Sequence, residues 1–237
     1  MGTVIQFKRP DGQPCSGYYA EPAKDGKAPG IVVIQEWWGV NDQIKGVADQ
    51  LAQAGYRALV PDLYRGKVAL EANEAEHLMK GLNFGDAAGQ DIAGAVQYLK
   101  QSSRKVAVMG YCMGGALTIL SAVFVKAADA AVAWYGVPPL EYVDANAIKA
   151  PILGHFATED VAFPRSQVEG LESKLKAAKV NYEFHWYNAK HAFANENNKD
   201  PNSFIHYNAE AAQLAWQRTM DFLKKQLYSA GVARADA

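Results

Sequence analysis

The chain holds two cysteines, and one of them, Cys112, stands in Gly110-Tyr111-Cys112-Met113-Gly114. Glycines two positions either side of a nucleophile suit a sharp turn from strand to helix. The central residue is held in a strained conformation there, and a flanking Cβ would collide with the turn. A thiol so placed faces the first amides of the following helix, whose partial positive charge favours thiolate. The same five residues also suit a buried structural cysteine between packing glycines, so the reading depends on finding a base and an acid to orient it. Of the five histidines, His155 and His185 fall in predicted strands and His77 and His206 in predicted helices, where structural or surface roles are usual. His191 alone falls in a loop just past a strand, in Asn188-Ala189-Lys190-His191-Ala192-Phe193. Asp160 follows another strand in Ala157-Thr158-Glu159-Asp160, and Glu159 competes with it for the acid's place.

The elements that must position these groups read as an alternation. Thr3 to Lys8 and Cys15 to Ala20 alternate about the turn Pro10-Asp11-Gly12 and predict an antiparallel pair, with Cys15 a small packing residue. Gly30 to Gln35 is a β-branched run of the kind covered on both faces, followed by a helix capped at Asn41-Asp42 and running to about Ala54. Further strands are predicted at Arg57 to Val60, Val106 to Met109, Ala130 to Tyr135, Pro151 to Phe156 and Tyr182 to Tyr187. Helices are predicted at Glu71 to Leu82, Asp86 to Gln101, Gly115 to Phe124, Arg165 to Ala178 and His206 to Tyr228. This order implies an α/β fold with a mostly parallel central sheet and helices on both faces, as one domain over 1–228 with a flexible tail at 229–237. In such a sheet the site lies at the carboxyl ends of the strands, which is where Glu36-Trp37, Cys112, Asp160 and His191 fall.

Nucleophile, acid, histidine is the chain order of the α/β-hydrolases. In that architecture one oxyanion-hole amide comes from the residue after the nucleophile, Met113, and another from the loop after an early strand, for which Trp37 is the natural donor. Glu36 reads either as a solvated or arginine-paired carboxylate or as a partly buried acid close enough to bond the thiol. Trp37, Trp38, Tyr64, Tyr135 and Phe193 are candidates for an apolar pocket wall. Sulfur also restricts the reaction. A tetrahedral intermediate expels a thiolate in preference to an amide nitrogen or a simple alkoxide, so activated esters, lactones and thioesters are favoured over peptides. The expected cycle is attack by Cys112, an acyl-thioester, and deacylation by water activated by His191 with Asp160 or Glu159 orienting the ring.

The chain resembles the dienelactone hydrolases (carboxymethylenebutenolidases) over nearly its whole length. The resemblance is carried by Gln35-Glu36 with Gly39-Val40-Asn41, by Pro61-Asp62-Leu63-Tyr64, by Gly110 to Gly115, by Tyr135-Gly136-Val137, by Asp160 with Pro164, and by His191 with Phe193. It implies an α/β-hydrolase fold, a triad of Cys112, His191 and Asp160, and a contact between Glu36 and the resting cysteine that substrate displaces. Such gating would shield the thiol from oxidation between turnovers. The resemblance also implies two arginines that grip a substrate carboxylate, and here those positions hold Asn195 and Asn73, neutral amides that lack the bidentate charged contact. Arg65, Lys67, Lys80 and Lys190 are the other cations considered, each expected at the surface. The expected activity is cleavage of activated esters or enol lactones, the alternatives being a broader carboxylesterase or lactonase for neutral substrates and a non-catalytic ligand- or redox-binding protein.

Composition bounds the partners. With 49% hydrophobic and 21% charged residues, a formal net charge of −1 and no lysine/arginine cluster, nothing in the composition suggests a surface for nucleic acid or an anionic membrane. Two cysteines in unlike contexts do not form a disulfide framework. Met1 to Asp11 has no apolar core of signal-peptide length, and no run is long enough to span a bilayer. A cytoplasmic protein acting on a small ester or lactone is expected, monomeric or weakly homo-oligomeric, with no metal or organic cofactor called for.

Overall fold

The computed structural model describes residues 1–24 and 26–228; the expected tail at 229–237 lies outside the described residues. Eight strands form one sheet: β1 (Thr3–Lys8), β2 (Pro14–Ala20), β3 (Gly30–Ile34), β4 (Arg57–Pro61), β5 (Val106–Tyr111), β6 (Ala130–Trp134), β7 (Ile152–Ala157) and β8 (Tyr182–Tyr187). Their spatial order is β1-β2-β4-β3-β5-β6-β7-β8. The pairs β1/β2 and β2/β4 are antiparallel and all the others parallel. The fold is the α/β-hydrolase fold.

Alternation along the central strands explains the layers. Ile31 and Val33 pack with α1 (Asp42–Gln53) and α7 (Ala209–Tyr228) on one face. Val32 and Ile34 point the other way, into a layer built by α4 (Ala93–Lys100) and α5 (Met113–Phe124). On that same face, further along the sheet, α6 (Arg165–Ala177) packs Val168, Leu171 and Leu175 against Ile152 and the α5 residues Ile119 and Val123. Two further helices, α2 (Ala72–Gly81) and the single turn α3 (Phe84–Asp86), lie between β4 and α4. Asn41 caps α1 as expected, its side chain accepting from the Ile44 amide at 3.2 Å.

Two helices differ from expectation. The continuous helix predicted from Asp86 is interrupted by a π-helical turn over Ala87–Ile92. That turn carries Asp91, a buried carboxylate that accepts from Arg9 at 3.3 Å and Arg65 at 2.8 Å, so the departure coincides with an ion pair between segments distant in sequence. The last helix begins at Ala209 rather than His206. His206 is held away by its amide bond to the His191 carbonyl at 3.3 Å, while the Asn208 side chain accepts from Ala211 at 3.0 Å and starts the helix.

Because β3, β5, β6, β7 and β8 run parallel and adjacent, their carboxyl ends share one edge of the sheet. The segments after β3, β5, β7 and β8 meet there.

Candidate active site

The turn between β5 and α5 has the geometry its sequence predicts. Cys112 sits at φ 58° and ψ −120°, a region an L residue enters only at a cost of about 1–3 kcal/mol. A Cβ at Gly110 would collide with the Gly114 carbonyl, and one at Gly114 would meet the Ile34 carbonyl oxygen at 2.5 Å, so both flanks must be glycine. The strained residue is pinned from both sides. Its amide donates to the Trp134 carbonyl at 2.9 Å, and its carbonyl accepts from Gly115 at 2.8 Å and Ala116 at 3.1 Å.

Cys112 Sγ lies 3.1 Å from His191 Nε2, and His191 Nδ1 lies 2.7 Å from Asp160 Oδ2. The other oxygen of Asp160 accepts from the amides of Ala162 at 2.8 Å and Phe163 at 2.9 Å, which fixes the carboxylate. Glu159, the rival left open by the sequence, is exposed, whereas Asp160 is buried. His191 is itself clamped by a parallel bridge to Ile205. Burial would lower the His191 pKa, but the charge of Cys112 and the hydrogen bond and charge of Asp160 outweigh it and raise it to about 10. The imidazolium form is thus favoured where His191 sits, between the Cys112 sulfur and Asp160.

Glu36 enters the same place from the loop after β3. It is 4% exposed, and its Oε1 accepts from Asn195 Nδ2 at 2.7 Å. Burial raises its pKa, and the Asn195 bond and the charge on His191 only partly offset this. The implied contact with the resting cysteine is not made in this arrangement: Glu36 bonds Asn195, and the thiol faces His191. The Glu36 carbonyl accepts from Gln35 Nε2 at 3.2 Å and from Gly39 at 3.2 Å, and Gln35 Oε1 accepts from Leu63 at 3.1 Å. These bonds hold the loop and leave the Trp37 amide without an acceptor among the described residues. Met113 is the first residue of α5, where helix amides lack an intrahelical acceptor, and Tyr64 Oη donates to its Sδ at 3.5 Å.

A cavity of about 170 Å³ opens over Cys112, walled chiefly by Trp37, Trp38, Met79, Phe163, Phe204 and Ile205. Of the five aromatic residues expected to wall it, Trp37 and Trp38 do. Tyr64, Tyr135 and Phe193 stand behind the wall: Tyr135 and Phe193 have no exposed surface and pack edge-on at 5.1 Å, Tyr135 also meeting the His191 ring at 5.2 Å. Asn195 is buried as the partner of Glu36, and Asn73 is exposed on α2 outside the cavity. Met79, Phe163, Phe204 and Ile205 carried no signal in the sequence, although the two residues after Asp160-Val161 and the stretch following the histidine loop were the places to search. Among the described residues no helix is long and apolar enough to cross a membrane.

A profile of the Dienelactone hydrolase family matches residues 15–227. The chain is 34% identical to Protein usf of Aquifex pyrophilus, over 96% of this chain and 100% of that one. It is 32% identical to an Escherichia coli protein named "Putative carboxymethylenebutenolidase", over 88% of this chain and 81% of that one. Among solved structures it superposes on a dienelactone hydrolase-like promiscuous phosphotriesterase from metagenomic libraries with a TM-score of 0.82, at 25% identity over 95% and 98% of the two chains. A strained cysteine turn on this sheet, together with a family match spanning nearly every element described above, places the chain in the dienelactone hydrolase family, as a carboxylic ester hydrolase.

Proposed function

We propose that the protein hydrolyses activated esters or enol lactones through a covalent acyl-thioester on Cys112. The observation that carries this reading is the unbroken chain from Sγ through the His191 ring to Asp160, at 3.1 Å and 2.7 Å, on the floor of an apolar cavity. In the first half-reaction the Cys112 thiolate bonds the acyl carbon, and the carbonyl electron pair moves to oxygen, where the Trp37 and Met113 amides donate to it. Collapse of the intermediate breaks the bond to the leaving oxygen, which takes the proton held on His191 Nε2. In the second half-reaction His191 removes a proton from water, hydroxide adds to the thioester, and Cys112 leaves as thiolate while the imidazole keeps the proton. Asp160 holds the ring in the orientation both halves need.

Glu36 belongs to the same reading as a buried acid that lines the cavity beside Cys112 and is held by Asn195. The test is intact-protein mass spectrometry after mixing with a slowly deacylating aryl ester. Wild type should gain one acyl mass, mapped to Cys112, and Cys112→Ala should gain none. Acylation of the variant would move the nucleophile elsewhere.

A further inference from the structure

The walls of the cavity say more than its floor. Among the described residues, the only ionisable side chain lining it besides Cys112 and His191 is Glu36, and no lysine or arginine does. The positive charge on His191 is already paired with the buried Asp160 at 2.7 Å. The cations nearest in sequence are occupied or outside. Arg65 bonds Asp91 and the Asp62 carbonyl, Lys80 pairs with Glu76 at 2.8 Å, Lys190 donates to the carbonyls of Pro201 and Ser203, and Lys67 is exposed. Glu36 itself has an amide for a partner, not a cation. A carboxylate entering this space would lose its hydration, find no counter-charge, and lie beside a buried acid.

Size bounds the part of the substrate that the cavity can cover. An engineered apolar cavity of roughly 150 Å³ stays dry and admits benzene. The present cavity, about 170 Å³ and faced by indole, phenyl, thioether and aliphatic groups, can on that scale cover one six-membered ring, and its open mouth leaves the remainder of a longer molecule outside.

We propose that the cavity selects uncharged apolar acyl groups of about one ring and excludes those that carry a carboxylate. This rests on Cys112 acting at the cavity floor, and the experiment separates the two claims. Calorimetry with Cys112→Ala measures binding without turnover, using methyl benzoate, benzoate and methyl naphthoate as probes. Methyl benzoate should bind at least ~30-fold tighter than benzoate, the size of an uncompensated buried charge, and tighter than the two-ring ester. In parallel, wild-type kcat/KM for para-nitrophenyl butyrate should exceed that for the near-isosteric para-nitrophenyl hemisuccinate by a similar factor.

Benzoate binding as well as or better than its ester, or no measurable binding of the ester, overturns the proposal. So does a hemisuccinate turned over as fast as the butyrate. If the variant binds as expected but the wild type cleaves neither ester, the selectivity of the cavity stands and the hydrolytic role of Cys112 falls.

Discussion

Replacing Asp160 by asparagine tests the geometry most directly, because the carboxylate has three separable jobs. Oδ1 accepts from the Ala162 and Phe163 amides, and an asparagine carbonyl can do the same, so the loop should survive. Oδ2 faces His191 Nδ1 at 2.7 Å, and there the variant presents an N–H to an N–H. A charge-assisted bond is lost, worth about 1.5–3 kcal/mol, or about 10- to 150-fold in rate. The ring must also turn or change tautomer, the fault that lowers kcat by roughly 10⁴ in a serine-histidine-aspartate triad. Since Cys112 still helps to hold the imidazolium, we expect an intermediate loss of about 10²–10³ in kcat/KM on an aryl ester. The alkaline limb of the pH profile should move down from about 10, because one of the interactions raising the His191 pKa is gone. Stability follows with a definite sign. A group whose folded pKa is raised stabilises fully below its unfolded value and loses that contribution as pH rises through the folded value, so the wild type should weaken progressively from about pH 6.5 and have lost the contribution by about pH 10, and Asp160→Asn should lose it at lower pH. A loss of less than about 3-fold, or an equal loss in Glu159→Gln, would refute the assignment of Asp160.

Two further substitutions probe the neighbouring strain and charge. Burial raises the Glu36 pKa, so the folded state holds this proton more tightly, and stability falls as pH rises from the ordinary carboxylate range through the raised value. Glu36→Gln should therefore flatten the stability difference between about pH 5 and about pH 8 in urea denaturation, and an unchanged slope would show that another group titrates there. Cys112→Gly should be more stable than Cys112→Ala by about 1 kcal/mol, or ~2–4 °C in Tm, because only glycine adopts φ 58° and ψ −120° freely. Equal melting temperatures would mean that the turn holds no strain.

The sequence disclosed the parts of this site that parallel strands must bring together. Cys112, Asp160 and His191 each follow a strand, and once the alternation of elements implied a parallel sheet, their meeting at one edge followed from topology. Choosing Asp160 over Glu159 needed coordinates, since neighbours in a tight loop point in different directions for reasons of local hydrogen bonding rather than residue type. The pocket wall was less legible. Tyr135 and Phe193 are large, apolar and near the chemistry in sequence, yet they fill the core behind His191, whereas Phe204 and Ile205 arrive on an irregular strap with no periodicity to follow. The partner of Glu36 was hidden for a related reason: Asn195 lies 159 residues away, and nothing in either residue's neighbours marks the pair.

That strap also divides the freedom of two adjacent positions. Ile205 bridges His191 through its backbone, and the His206 amide bonds the His191 carbonyl, so any shift of the chain here moves the imidazole. Phe204 makes its contact through its ring, stacked 6.4 Å from the imidazole and 45% exposed. Side-chain variation at 204 can therefore retailor what fits above the thiol while the backbone course is kept, and insertions or deletions beside it cannot.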